Sequence, residues 1–356
     1  MKKILYIFTF ILLVLPLVFL VNECKKENKS KIAIITNFSG PNGGTGISLI
    51  SSMDQTFKNL GFNNYDFIIA NDSWNPKKIE KALDKVLSYN PDVIVLGTTS
   101  TALLQIFDKL ETLNKPIISL SSTTTKITSL DDNLFSFALN LRDEQKQIAE
   151  YFNKKRWDKI IVIRETSNYK YTEPALLNFK KFYNGKIENT FEFESKNLNI
   201  NSLLKFTDNL PSEIDAFYFL VGYSFETGII IQLLRKNFKN TPIILTPWAS
   251  ENYEIFAGRF LNNIIIAHYF DIVGDKKLRE LVREHRKVFK TSPTVLSLLG
   301  RESVYFINDV YRAYGSLKLK SFKKFLITKK AENYYLDKYG DSRRRLFFIN
   351  FYNNEK

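Results

Sequence analysis

Short runs of β-branched apolar residues recur along this chain, each followed by a longer amphipathic stretch, and few folds accept that alternation. Residues 31–36 read KIAIIT and 93–96 read VIVL, apolar throughout rather than at every second position. A strand apolar on both sides is covered on both faces, which points to a parallel sheet between helical layers. The same pattern predicts strands at 65–70, 116–119, 159–163, 216–221, 242–245 and 263–267. Between and after them, 47–60, 76–87, 101–113, 144–152, 175–182, 227–235 and 276–289 read as helices. Asn75 stands ready to cap the second of these, and Pro76 occupies its first position. The fold class expected is therefore α/β, with doubly wound parallel sheets. At 356 residues the chain is long for one core, so two lobes are expected. No Pro- or Gly-rich linker divides them, so several chain crossings should join the lobes.

The amino terminus carries a different signal. Lys2 and Lys3 precede an apolar stretch from 4 to 21 that only Thr9 and Pro16 interrupt. A basic start before an apolar core is an export signal. Cys24, the single Cys of the chain, follows just before KKENKS. That position resembles the lipidation site of bacterial lipoproteins. Lipidation, an uncleaved membrane anchor and cleavage to a soluble form all stay open, and each places the rest outside the cytoplasmic membrane. Residues 1–24 are read as signal peptide or lipid anchor, and 25–30 as a tether.

Composition removes several function classes. One Cys excludes an intrachain disulfide and a multi-Cys zinc site. Two His, at His268 and His285, give little support to a His-based metal centre or a Ser-His site, and no metal or cofactor is expected. The net charge of +14 comes from Lys scattered without long runs, which reads as a solvated basic surface rather than a nucleic-acid footprint.

The loops after the strands are where a parallel sheet binds ligands. The first, from Ser39 to Gly46, is Gly-rich but matches no phosphate-binding spacing. It stays open between a turn that brings backbone close to a ligand and a plain surface turn. Two others, Gly97-Thr98-Thr99-Ser100 and the run from Ser119 to Thr125, offer hydroxyls and free N–H groups at helix starts, a neutral way to hold a carboxylate. The second half offers 167–171 with Tyr169 and Tyr171, Gly222-Tyr223-Ser224-Phe225-Glu226, and Pro247-Trp248-Ala249.

Taken in order, NFSGPNGGTG, ANDSWNPKK, VIVLGTTST, PIISLSSTTTKIT, VGYSFETG, LTPWAS, the segment 291–315 and KYGDSRRR carry a resemblance from about Lys31 to the end. The chain resembles the type I periplasmic binding proteins of the leucine/isoleucine/valine-binding family, substrate receptors of ATP-driven importers. The resemblance implies a two-lobed clamp, its lobes 31–139 plus 270–332 and 140–269 plus 333–356. Crossings would fall near 137–142, 267–271 and 332–337. It also implies that Ser100, Ser121, Ser122 and Thr123 hold a ligand carboxylate while Tyr169 and Tyr223 close from the other lobe. The acid that meets an α-ammonium in that family falls where this chain has Trp248. Either Glu226 or Glu251 replaces it, or Trp248 offers a cation–π face, or the ligand is not an α-amino acid. The function implied is capture of a small polar solute (amino acid, amide or related organic anion) and its delivery to a membrane permease.

Two other classes compete. Glu165, Glu173, Glu226, Glu251 and Asp271 are available as acids and bases, yet no spacing fixes a pair, so an enzyme is not expected. An envelope lipoprotein of the same fold that binds a protein partner, such as a cell-wall synthase, is the alternative. A ligand-sensing repressor would need a helix-turn-helix where the export signal lies, so no nucleic acid is expected.

Overall fold

The computed structural model describes residues 29–40, 42–195, 197–222, 224–250, 253–289, 292–328 and 334–350. Cys24 with the rest of 1–28, Tyr223 and Glu251 lie outside the described residues. The first lobe begins β1 Ser30–Thr36, α1 Gly43–Asn59, β2 Tyr65–Asn71, α2 Pro76–Leu87, β3 Val93–Gly97, α3 Ser100–Glu111, β4 Ile117–Ser119 and β5 Leu134–Leu139. The second runs α4 Leu141–Lys155, β6 Lys159–Glu165, α5 Tyr169–Phe182, β7 Lys186–Phe193, α6 Ile200–Asp208 and β8 Ala216–Leu220. It continues with α7 Ser224–Asn237, β9 Ile243–Leu245, α8 Tyr253–Ala257 and β10 Ile264–His268. Then follow α9 Lys276–Phe289, α10 Val295–Tyr314, α11 Leu319–Thr328, β11 Asp341–Ser342 and β12 Phe347–Ile349.

Among the described residues the strands form two six-stranded sheets, ordered β11-β5-β4-β3-β1-β2 and β12-β10-β9-β8-β6-β7. Every pairing is parallel except β12 against β10. This is the doubly wound, two-lobed α/β architecture that the alternation predicts. β3, β4, β8 and β9 are buried at every position, as their unbroken apolar runs require. Edge strands β2 and β7 are half-exposed and carry more polar residues. Asn75 does cap α2, its side chain accepting from Lys77 N at 3.0 Å.

The Gly-rich loop has a packing role. A Cβ at Gly46 would sit 2.1 Å from the carbonyl oxygen of Asn37, and one at Gly43 would sit 2.8 Å from the carbonyl carbon of Phe38. These glycines let the start of α1 press against the chain leaving β1.

The third crossing lies later than the sequence reading places it. Residues 334–342 return to the first sheet, where Ser136 N donates to Gly340 O at 2.8 Å and β11 pairs with β5. The crossing falls at 343–346, because backbone pairing on the open edge of β5 holds the chain in the first lobe for a few residues more. At that crossing Arg344 donates from Nη2 to Glu302 of α10 at 2.6 Å and from Nε to Ser342 Oγ at 2.9 Å. Its guanidinium also lies over the rings of Tyr269, Phe270 and Tyr335, at 5.1 to 5.7 Å from their centroids. Tyr269 and Phe270 belong to the second crossing, just after β10. One buried cation thus ties two crossings to the first lobe.

Two expectations follow from this packing. Gly46→Ala should cost about 2–3 kcal/mol in urea unfolding, since the neighbour in the way is backbone. Arg344→Met should cost about 3–5 kcal/mol by stranding the Glu302 carboxylate. Adding Glu302→Leu should recover most of that loss in the same assay.

Candidate functional site

Parallel strands joined by helices put every following helix start at the carboxyl edge of the sheet. The two edges face each other here around a cavity of about 50 Å³. From the first lobe it is lined by Thr45, Trp74, Thr98, Thr99, Ser100, Ser121 and Leu296. Asn168, Tyr171, Gly222 and Trp248 line it from the second. Thr101 Oγ1 donates to Asn168 Oδ1 at 2.9 Å, a bond directly between the lobes, so the cleft is closed. By volume the space suits a solute of a few heavy atoms, or about three to five waters.

The electrostatics of the lining are one-sided. Helix starts of α1, α3, α5, α7 and α10 all contribute or adjoin a lining residue. Their positive dipole ends favour an anion, while no Asp, Glu, Lys or Arg lines the cavity among the described residues. At α3, Thr99 caps the helix by accepting from Ala102 N at 3.2 Å. That leaves the N–H groups of Ser100 and Thr101 without an intrahelical acceptor. Ser100 Oγ accepts from Ser122 Oγ at 3.2 Å and from Thr123 N at 3.3 Å, so its own proton is left for a ligand.

The residues singled out from the sequence are distributed as follows. Ser100, Ser121 and Trp248 line the cavity. Ser122 and Thr123 are buried behind Ser100 and support it, and the Thr123 hydroxyl is buried without a hydrogen-bond partner. Tyr169 is 47 % exposed and lines an adjacent groove with Lys126 and Lys170. Tyr171 takes the cavity wall instead, because two positions on α5 are about 200° apart and only one faces inward. Glu226 is buried, stands outside the described lining and accepts from Ser195 Oγ at 3.0 Å. Trp74, quoted in a motif but given no role by the sequence reading, is held in the cleft by its turn. Ser73 and Trp74 both adopt left-handed φ, near 50°. Buried Asp72 accepts from Trp74 N at 3.0 Å and from the Thr98 hydroxyl, and Trp74 Nε1 donates to Gly97 O at 2.9 Å. Trp74 carried a detectable signal, since ANDSWNP places an aromatic in the turn before a capped helix.

Two buried carboxyls stand just behind the walls. Glu144 is wholly buried, and burial raises its pKa to about 7 against hydrogen bonds from Tyr269, Gln145 and Tyr171. Glu165 is likewise raised to about 7 by burial, and nearby Glu226 adds to the rise, while Asn168 N donates to it at 2.8 Å. A shift from 4.5 to about 7 corresponds to about 3 kcal/mol. The folded form holds these protons to higher pH than the unfolded chain, so stability falls as pH rises from about 4.5 to 7. His268 works oppositely, since burial lowers it to about 4 and folding then loses stability as pH drops toward that value. Glu165→Gln is expected to add about 2 kcal/mol at pH 8 and almost nothing at pH 4.5, read by urea unfolding at both values.

Neither protein-family models nor curated proteins gave a match to the chain. Solved structures did. The chain is similar to the branched-chain amino acid substrate-binding protein LivJ of Streptococcus pneumoniae, solved with isoleucine. The identity is 16 %, the TM-score 0.77, and the match covers 91 % of this chain and 96 % of that one. It is similar to an ABC-transporter solute-binding protein of Rhodopseudomonas palustris solved with 3,4-dihydroxybenzoic acid. Here the identity is 15 %, the TM-score 0.79, and coverage 90 % and 93 %. A type 1 periplasmic binding protein of Bordetella pertussis matches at 15 % identity and a TM-score of 0.70, over 90 % of this chain and 100 % of its own. At these identities the likeness establishes the fold.

Proposed function

We propose that this chain, built on the fold of the type I periplasmic binding proteins, is an extracytoplasmic receptor for a small organic anion. The carrying observation is the cavity itself, closed between two lobes, neutral in its described side chains and surrounded by helix starts. In this reading the solute's carboxylate sits at the start of α3, where Ser100 gives its hydroxyl proton and the free N–H groups of the first turn add theirs. Thr98 and Ser121 shape that end of the cleft. Trp74, Tyr171 and Trp248 pack around the remainder of the solute.

Among the described residues no acid lines the cavity, which favours a solute without an α-ammonium, whose burial unpaired would cost several kcal/mol. The Rhodopseudomonas neighbour is solved with an acid that has a carboxylate and no amine. That pairing of a similar fold with such a ligand supports the choice. The two lobes close by a hinge over the crossings, drawn together by contacts that one solute makes to both. The released solute would pass to the permease of an ATP-driven importer. The basic and apolar segment before residue 29, with Cys24 as lipid site, would hold the receptor at the membrane.

The fragment starting after Cys24 tests this reading. Thermal unfolding against short carboxylic acids, amino acids, amides and sugars should show stabilisation by acids first. A ligand at a hundred times its Kd adds about 2.7 kcal/mol. Ser100→Ala should weaken the best acid by about tenfold or more, the range for a hydrogen bond to a charged group. Equal affinity in wild type and Ser100→Ala would remove the carboxylate from the start of α3.

A further inference from the structure

The wall of the cavity formed by Tyr171 and Trp248 backs onto a carboxyl that the binding scheme leaves unused. Glu144 lies in the first turn of α4, directly after the first crossing. Tyr269, in the second crossing, donates to its Oε2 at 2.6 Å. Tyr171 donates to its Oε1 at 3.3 Å, and the Gln145 amide does so at 3.1 Å. The indole N–H of Trp248 is buried without a hydrogen bond of its own and lies near enough to Glu144 to favour its charged form. Trp248 also packs edge-on against Tyr269, with ring centroids 5.6 Å apart.

Several elements supply the polar groups around this carboxyl, and Asp143 beside it on α4 faces Arg343 at 3.9 Å. Tyr171 comes from α5 and Tyr218 from β8, the latter donating to Gln145 Oε1 at 2.5 Å. Tyr269 and neutral His268 belong to the second crossing. The charge of Arg344 lies over the far ring of Tyr269, where Glu302 pairs with it. Among the described residues, no Lys or Arg side chain forms an ion pair with Glu144. The group is therefore a buried acid with donors on several sides and no counter-charge, one side chain behind a cavity ringed by helix starts.

We infer that Glu144 sets the affinity of the cleft for anions, and that capture of an anion is accompanied by uptake of one proton from solvent onto its carboxylate. This rests on the carboxylate reading of the cleft. A solute packed against Trp248 and Tyr171 with its carboxylate at the start of α3 feels the negative charge of Glu144 across the aromatic wall of a poorly screened cavity. Protonating Glu144 removes the repulsion. By reciprocity, a bound anion makes that proton harder to lose. The raised pKa of about 7 puts the exchange in the neutral range rather than near pH 4.

Acetate and propionate serve as probes, since their few heavy atoms suit the cavity and their own carboxyls stay ionised above pH 6. Binding to the wild-type fragment should be roughly tenfold tighter at pH 6 than at pH 9. Glu144→Gln should bind with one affinity at both, close to the wild-type value at pH 6. Tyr269→Phe keeps the carboxyl but removes its shortest donor, so the change of affinity should move to higher pH. Calorimetry at pH 7.5 in buffers of different ionisation enthalpy should show uptake of about half a proton per ligand in the wild type and equally in Glu165→Gln, which lacks the other raised carboxyl, independently of whether Glu144→Gln folds. The same pH slope in wild type and Glu144→Gln, or no proton uptake, overturns the assignment while leaving the carboxylate site standing. Failure of both probes to bind either protein at any pH removes the carboxylate reading, and the coupling falls with it.

Discussion

The structure depends on one geometric constraint, the parallel pairing of its strands. A parallel strand must be reached by a crossover, and most crossovers here are helices laid on the sheet, while β4 reaches β5 through a short turn at Thr125–Ile127. The parallel strands of a lobe then end at the same edge, and the helices that follow them start there. One such edge makes a shallow anion-friendly rim. Two of them facing each other enclose a cavity in which helix dipoles from both lobes add, without one basic side chain among the described lining residues. The hydroxyl of Ser100 adds a donor to a field that the backbone has already set, while Ser121 gives its own proton to Thr98 O at 2.7 Å.

Joining two such lobes without a linker creates a second requirement. Three chain segments pass between the sheets, and they must bend together if the cleft is to open. Arg344 supplies the common element, bonded to Glu302 in the first lobe and stacked over Tyr269 and Phe270 in the second crossing. Tyr269 continues the chain of contacts to Glu144 at the first crossing, and from there to Tyr171 in the cavity wall. Burying one cation and one acid in this way is costly, which restricts the crossings to arrangements that keep both satisfied. The cavity and the hinge are thereby parts of one hydrogen-bonded network.

Much of this was legible in the amino-acid order. The eight strands read from apolar runs all form, because a strand covered on both faces leaves an unmistakable local record in its residues. β5 and β7 escaped that reading. LFSFAL includes a serine, and KIENTFEF is an edge strand whose polar residues face solvent. Ser100, Ser121 and Trp248 were found as loop residues after strands, a position that topology makes significant. Tyr169 and Glu226 lie in loops read the same way, and the rotation of α5 and the bond from Ser195 leave them outside the described lining.

The sequence by itself determined the α/β class, the doubling into two lobes and the loops that face the cleft, since all of these follow from local periodicity and chain length. Tertiary structure alone decided that 334–342 returns to the first sheet, that Tyr171 rather than Tyr169 meets the cavity, and that Glu144 lies beneath its wall. These depend on groups far apart in the chain: β11 lies some two hundred residues from β5, and Tyr269 is 125 residues from Glu144. Periodicity records which face of an element is buried. It carries no record of which distant side chain will be waiting there.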